Sequence, residues 1–447
     1  MEILSFVGIL IGLLLFIVLC FKRFNTILSV ILSVLIMLLF SMPALRGNGL
    51  DIYQMLIPGG DGFTSYMTGV SGFLKSYLIL FMLSALYGKV MDDSGAIRRI
   101  ALTLKSAVVK SPNAKFLAVC VLPVFYTVLG YCGISGFVMV FAVVALGREL
   151  FTECDVPWRF YCYGAVGNLT NGILAGNLQA QNLKATELFG VAPTAGFAMS
   201  VVFCFVQLLV AGIMIYCDVK RSDRLGEGFA TDGAEMLKEK MDLPKNEENL
   251  PGLVSSLIPI LLTVLIIIVF KLPAETTLTI SIIVCFILYR KYLPNLKTTL
   301  SSGLTIGVGP VVTVAAVAGL ATIIPQMPGF SLITGVLDKL PDMYGGIALV
   351  AIITLFVANA VPVFTSQGVT NILVQKFSAL SAGNAARLAL CSQITTCPPW
   401  NAGVINAVAL TKLDLKKAAW IYFKSSFFPG LAGLAVVVIL IKIGIFV

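Results

Sequence analysis

Residues Gly167–Asn182 read GNLTNGILAGNLQAQN. Side-chain amides stand at Asn168, Asn171, Asn177, Gln179, Gln181 and Asn182, nothing is charged, and Gly167, Gly172 and Gly176 loosen the backbone. The stretch lies between apolar runs, and those flanks decide its meaning. In hydrocarbon every backbone N–H and C=O must find an internal partner. Glycine- or proline-broken segments persist at that depth only where they are packed in protein or line a cavity. A polar, uncharged, glycine-broken segment between apolar runs therefore reads as a broken helix inside a membrane bundle, not as a surface loop.

The whole chain supports that setting. Of its 447 residues 58% are hydrophobic and 12% charged, with a mean hydropathy of +0.97. Soluble domains average about 45–50% apolar and about 25% charged residues. The apolar runs reach the roughly 20 residues that a helix needs to cross a core of about 30 Å. The short alternating segments of a membrane β-barrel do not appear. The expected fold is an all-α polytopic membrane protein of about 10–14 membrane segments. Its net charge of +9 comes from clusters such as Lys22-Arg23, Arg98-Arg99, Lys220-Arg221 and Arg290-Lys291. These sit between apolar runs, the positive-inside pattern, and do not imply nucleic acid. The chain has no histidine, which excludes a His-containing metal site. Its ten cysteines lie mostly singly in apolar runs, without zinc-like spacing, and read as small buried hydrophobes. No cofactor is expected. Ile3–Cys20 is followed rather than preceded by basic residues, so it reads as a first transmembrane helix and not a leader.

Following the basic clusters, the chain divides into a first membrane repeat over 1–216, a cytoplasmic linker over 217–250 and a second repeat over 251–447. The halves match in order. A long apolar run with an amphipathic arm at 70–105 corresponds to another at 303–340. GYCGISGFVMVF corresponds to VFTSQGVTNILV, and GNLTNGILAGNLQAQN to SQITTCPPWNAGVINA. By the charge rule the leading run enters the cytoplasm in one half and leaves it in the other. That predicts two inverted-topology repeats with re-entrant hairpins and broken helices, an arrangement that places a binding site near the membrane midplane.

Four broken segments carry the polar groups. The hairpin tips are GYCGISG (130–136), with Ser135, and PVFTSQGVTN (362–371), with Thr365, Ser366, Gln367, Thr370 and Asn371. The broken helices are the opening stretch, with Asn168, Asn171 and Asn177, and ITTCPPWNAGVIN, with Thr395, Thr396 and Asn401. In the latter Pro398-Pro399 must stop a helix, because proline donates no backbone bond. A broken helix offers partly positive N–H groups at one new end and carbonyls at the other. The first suits a carboxylate, the second Na⁺, and neutral amides and hydroxyls complete either without a fixed buried charge. The competing reading is that these amides are interhelical glue, worth about 0.6 kcal/mol each, with glycines allowing close packing. For an isolated Thr170 or Gln393 that reading is the stronger one. For two clustered stretches at matched positions binding is favoured. Arg387 falls toward the outer side by the same charge rule, where a cation could draw in anions.

At YGKVMDDSGAIRRIALTL the chain resembles the gluconate permease family, and the likeness continues through SGFVMVF, VPWRFY and LTKLDLKKAAWIYFKSS. The resemblance implies inverted repeats, two hairpins and uptake of small carboxylates driven by H⁺ or Na⁺. Where the family carries an acidic residue in the first hairpin, this chain has Cys132-Gly133-Ile134-Ser135. Where it carries His and a proline-rich run, this chain has Asn171 to Asn177. Where it carries an acidic N-D-P, this chain has Cys397-Pro398-Pro399. The family's protonatable groups are thus replaced by neutral ones at all three places.

The expected function is a cation-coupled symporter for a small organic anion, a mono- or hydroxycarboxylate such as a sugar acid. It would sit as a multi-pass protein in a bacterial-type inner membrane, with Na⁺ or H⁺ as coupling ion and a homodimer as a compatible assembly. The alternatives are an ion antiporter on the same fold, for which the polar segments offer only Glu187, and a membrane protein without transport activity. An enzyme is disfavoured by the lack of histidine, metal cluster or internal acid–base pair.

Overall fold

The computed structural model describes residues 2–22, 24–47, 51–57, 65–131, 136–177, 179–242, 250–270, 272–293, 295–337, 340–357, 360–365, 367–398 and 401–446. Among them every regular element is helical. Seven helices are long and apolar enough to cross a membrane: Glu2–Cys20, Thr26–Gly47, Tyr66–Asp93, Ala114–Tyr131, Phe197–Arg224, Leu296–Gln326 and Lys416–Lys442. Leu253–Thr263, Glu275–Tyr289 and Asp342–Leu355 are shorter apolar helices. The outward faces are apolar as well, with Leu14, Phe205, Ile213 and Ile287 all exposed. Such a surface suits lipid as its solvent. This is the all-α polytopic fold that the composition predicts.

Helix order repeats along the chain. Tyr66–Asp93 is followed by Ala96–Val108, Ala114–Tyr131, Gly136–Glu153, Gly164–Ile173, Ala180–Leu188 and Phe197–Arg224. Leu296–Ile323 is followed by Phe330–Leu337, Asp342–Val357, the pair Val361–Thr365 and Gln367–Lys376, then Ala382–Cys391, Ala402–Thr411 and Leu415–Lys442. Three of the long helices start on side-chain caps. Ser65 forms a capping box with Thr68, Asn295 accepts from Thr298 N at 3.2 Å, and Asp414 accepts from Lys416 N and Lys417 N at 3.1 Å each. Each cap satisfies an N–H that the first helical turn leaves unpaired.

Matched helices from the two series pair with each other, and both pairs run antiparallel. Along Tyr66–Asp93, Gly69 lies against Thr322, Phe81 and Met82 against Gly307, and Leu86 against Gly303, while Thr299 donates to Asp93 at 2.6 Å. Along Phe197–Arg224, Phe203 lies against Gly433 and Asp218 takes the Lys424 ammonium. Lipid supplies no hydrophobic drive between helices, so association rests on close packing through small residues. A Cβ on Gly307 would fall 2.7 Å from the Phe81 carbonyl oxygen and 2.8 Å from Met82 Cα, both backbone atoms.

Two helical hairpins flank this core, and each packs on the long helix of the other series. Glu2–Phe21 and Thr26–Gly47 are joined by a Ser5–Ser41 hydroxyl bond of 2.7 Å and reach the second series where Gly329 N donates to Ser5 Oγ at 3.0 Å. Leu253–Leu265 and Ala274–Tyr289 share a Thr263–Ser281 bond of 2.7 Å, and beside them Arg99 Nε donates to Pro251 O at 2.9 Å.

The segment read as a linker has more structure than its low apolar periodicity suggests. The helix Phe197–Arg224 continues past 216, and Ala230–Asp242 is helical. Phe229 packs on Trp158 with ring centroids 5.4 Å apart, and Phe229 and Met236 are buried. Arg159 donates to Glu227 and, at 2.5 Å, to Asp232. Burial disfavours the Arg159 charge, but the bonds to Glu227 and Asp232 outweigh it and hold the guanidinium above its ordinary range. Two apolar anchors and one ion cluster suffice to dock this helix, and so few contacts leave almost no periodic signal in sequence.

Gly307→Val should force the central pair of helices apart and cost about 1–3 kcal/mol, as overpacking does. A lowered thermal unfolding midpoint in detergent, relative to a valine placed at the open position Gly309, is the check.

Candidate functional site

Both broken helices have the same build. In the first, Gly164–Ile173 ends, 174–179 is non-helical where described, and Ala180–Leu188 resumes. In the second, Ala382–Cys391 ends, 392–401 is non-helical where described, and Ala402–Thr411 resumes. The freed backbone groups must be paired inside the bundle, and the amides of the opening stretch supply part of that pairing. Asn177 Oδ1 accepts from Gln179 N at 2.9 Å while its amide donates to Leu174 O. Asn182 Nδ2 donates to Asn177 O at 2.7 Å and Gln179 Nε2 to Gly130 O at 3.0 Å. Asn171 Nδ2 donates to Tyr126 O at 2.6 Å, and Gly130 packs directly on that amide. In the second break Asn401 caps Ala402–Thr411, accepting from Val404 N at 3.0 Å and donating to Thr396 O at 2.8 Å. Thr395 donates to Ala351 O at 2.6 Å and lies 2.7 Å from the Thr354 hydroxyl.

Arg387 joins the two breaks. Sequence reading placed it toward the outer side of the membrane, where it could draw in anions; its side chain is fully buried and engaged by the protein. Its guanidinium donates to Ile173 O at 3.1 Å, Asn182 Oδ1 at 2.6 Å, Pro193 O at 2.6 Å and Ala195 O at 2.6 Å. Ile173 closes the helix Gly164–Ile173, so the cation also meets the negative end of a helix dipole. A five-donor planar fork can satisfy several carbonyls at once, which lysine could not. Gly196, with φ +65°, leaves room for it, since a Cβ there would fall 2.2 Å from Arg387 Cγ. Nearby, Gln393 Nε2 donates to Gly172 O at 3.0 Å, a second bond between the breaks.

Between the breaks lies a cavity of about 160 Å³. Gln179, Ala180 and Gln181 enter it from the start of one resumed helix, and Asn401, Gly403 and Val404 from the start of the other. Two helix N-termini, one from each series, thus face a shared space, and their N–H groups favour an anion. Asn168, Gln393, Thr396, Tyr126 and Tyr422 add amides and hydroxyls, and no described lining residue is charged. Asn168 and Gln181 make no hydrogen bond to other described residues. The Tyr422 hydroxyl is buried and has no hydrogen-bond partner among the described residues, although a buried unmade bond costs about 1–3 kcal/mol.

A second cavity, of about 490 Å³, shares Phe73 with the first as a lining residue. Thr68, Ser76, Tyr77, Lys184, Glu187, Thr322, Thr365 and Thr370 are among its walls.

The residues singled out from sequence therefore divide. Asn168, Thr396 and Asn401 meet at the central cavity, while Thr365 and Thr370 line the second. Asn171, Asn177 and Thr395 are engaged in the bonds above and are not among the described lining residues of either cavity. Asn371 is exposed and Gln367 opens the helix Gln367–Lys376. Ser135 and Ser366 lie outside the described residues, as do Pro399 and Trp400. Sequence reasoning missed Gln179, Gln181, Gln393 and Tyr422. The first two were in the quoted stretch, but only the position of its break shows that they open the resumed helix.

No protein-family model matches the chain. A curated relative named "Uncharacterized transporter YxjC", from Bacillus subtilis (strain 168), is 33% identical over 174 residues. That alignment covers 37% of this chain and 34% of the relative, about a third of its length. Among solved structures, the Alcanivorax borkumensis YdaH transporter, described as having an unusual topology, is similar over 97% of this chain and 98% of its own, at 13% identity and a TM-score of 0.47. That likeness is too distant to carry an argument.

Arg387→Gln should cost about 3–5 kcal/mol, the size seen when one side of a buried charged cluster is removed. Asn171→Ala should cost about 1 kcal/mol, one neutral hydrogen bond. Thermal unfolding in detergent separates them: near-equal losses would contradict the clamp assigned to Arg387.

Proposed function

We propose that the chain is a cation-coupled secondary transporter that moves a small organic anion, a mono- or hydroxycarboxylate, across a bacterial-type inner membrane. The observation that carries this reading is the meeting of two helix N-termini at one uncharged cavity. Anion affinity there comes from backbone dipoles, and no fixed buried cation has to be desolvated. The partial relative named a transporter supports the class of activity. The repeated helix order and the two antiparallel seams support an inverted repeat, the architecture in which such midplane sites occur. The gluconate permease resemblance supports a carboxylate as cargo.

In this reading the carboxylate sits against the starts of Ala180–Leu188 and Ala402–Thr411. Tyr422 supplies a hydroxyl donor that has no partner among the described residues, and Asn168, Gln181 and Gln393 read the hydroxyl groups of the substrate. Ser135, Ser366, Gln367 and Asn371 stay candidates at the hairpin tips. Amide, hydroxyl and carbonyl oxygens suit Na⁺, which needs oxygen ligands but no titrating acid; this favours Na⁺ over H⁺ as the coupling ion. Rocking of one part of each half against the rest would alternate access.

Purified protein in liposomes should accumulate at least one of gluconate, glycerate or lactate under an inward Na⁺ gradient. An absence of uptake from a broad carboxylate panel under both Na⁺ and H⁺ gradients would remove the symporter reading. Tyr422→Phe should lower uptake at limiting substrate about 2–10-fold, the worth of one hydrogen bond, with little loss of thermal stability, since the hydroxyl has no protein partner to lose.

A further inference from the structure

The second cavity differs from the central one in holding charge. Lys184 is the one basic side chain among the described residues that line either space, and its ammonium lies 2.7 Å from Glu187 Oε2. The same ammonium lies 5.9 Å from the centre of the Tyr77 ring. Tyr77 is only 4% exposed, and its hydroxyl has no hydrogen-bond partner among the described residues. A buried hydroxyl donor beside a lysine, both on the wall of a cavity, presents the two groups that bind a carboxylate most directly: a cation and a neutral donor.

The present partner of Lys184 is a weak competitor. Glu187 is two-thirds exposed and three residues away on the same short helix, and such exposed pairs contribute little. An incoming carboxylate can exchange for it at small cost, gaining the Tyr77 hydroxyl that Glu187 leaves unpaired. Position gives the site its role. Its walls come from the end of the helix Tyr66–Asp93 opposite the basic cluster Arg98-Arg99, so the positive-inside rule puts it on the outer side. Phe73 is shared with the central cavity and stands between the two.

We propose that the second cavity is a distinct outer carboxylate site, in which the Lys184 ammonium and the Tyr77 hydroxyl hold a small organic carboxylate before it passes Phe73 to the central cavity. This rests on the carboxylate-transport reading above. The central site binds through helix dipoles and neutral groups and releases readily to either side. The outer site uses a full charge, which concentrates anions at the entrance and makes capture sensitive to salt.

The test is calorimetric titration of the purified full chain in detergent, with Na⁺ present, using gluconate, glycerate and lactate as probes. Two sites are expected for the probe that binds. Lys184→Gln should weaken one of them at least tenfold and leave the other unchanged, and Tyr77→Phe should weaken the same one several-fold. Tyr422→Phe should act only on the site that ignores Lys184. Glu187→Gln should tighten the Lys184-dependent site several-fold, a gain that a merely structural ion pair would not produce and that remains measurable if Lys184→Gln does not fold. A single site, weakened by Tyr422→Phe and indifferent to Lys184→Gln and Glu187→Gln, overturns the outer site and leaves the transport reading standing. No binding of any probe overturns both.

Discussion

One guanidinium sets the shape of the middle of this protein. Arg387 reaches from the helix Ala382–Cys391 into the other half of the chain and binds the last carbonyl of Gly164–Ile173, the Asn182 side chain, and the Pro193 and Ala195 carbonyls. A broken helix in hydrocarbon leaves carbonyls that water cannot reach, and each one left unpaired costs several kcal/mol. A buried cation is equally unwelcome without acceptors. Each problem is the solution of the other, and together they fix where the first broken helix stops, how the chain turns into Phe197–Arg224, and how the two halves meet.

With that clamp in place the remaining polar groups divide by task. Of the six amides of GNLTNGILAGNLQAQN, Asn177 and Asn182 pair backbone groups of the break itself, and Asn171 and Gln179 pair the Tyr126 and Gly130 carbonyls beside it. Asn401 repairs the opposite break in a related way. Repair releases the two resumed helices to point their starts into shared space. The central cavity then needs no charged wall, and the described lining residues include none. Charge appears elsewhere, at the clamp, in the second cavity, in the Asp218–Lys424 pair of a helix seam, and in the Arg159, Glu227 and Asp232 cluster that docks the helix Ala230–Asp242.

The sequence reading of the amide stretch was right about its place and incomplete about its work. A break was legible because glycines and amides cluster there between apolar runs, more densely than interhelical glue requires. Asn171 illustrates the shortfall. From sequence it has the same standing as Asn168, three positions earlier, yet Asn171 is buried against Gly130 while Asn168 borders the cavity. Three apart on one helix, they share a face; what separates them is the neighbour each meets, the bare Gly130 beside Asn171, and no propensity locates that neighbour. Tyr422 was invisible for a different reason. It is one aromatic in an apolar closing helix, and only the lack of a partner for its hydroxyl distinguishes it.

By itself, the sequence determined the all-helical membrane class, the repeated order of helices along the chain and the two places where a helix must break. Those follow from hydropathy, from glycine and proline chemistry, and from the placement of basic residues, all of which act locally along the chain. Tertiary structure decided that Arg387 is an internal clamp, that the segment after Arg224 docks as a helix, and that two helix starts face one uncharged cavity. These depend on which groups far apart in the chain satisfy each other out of water, and no local pattern of residues records that pairing.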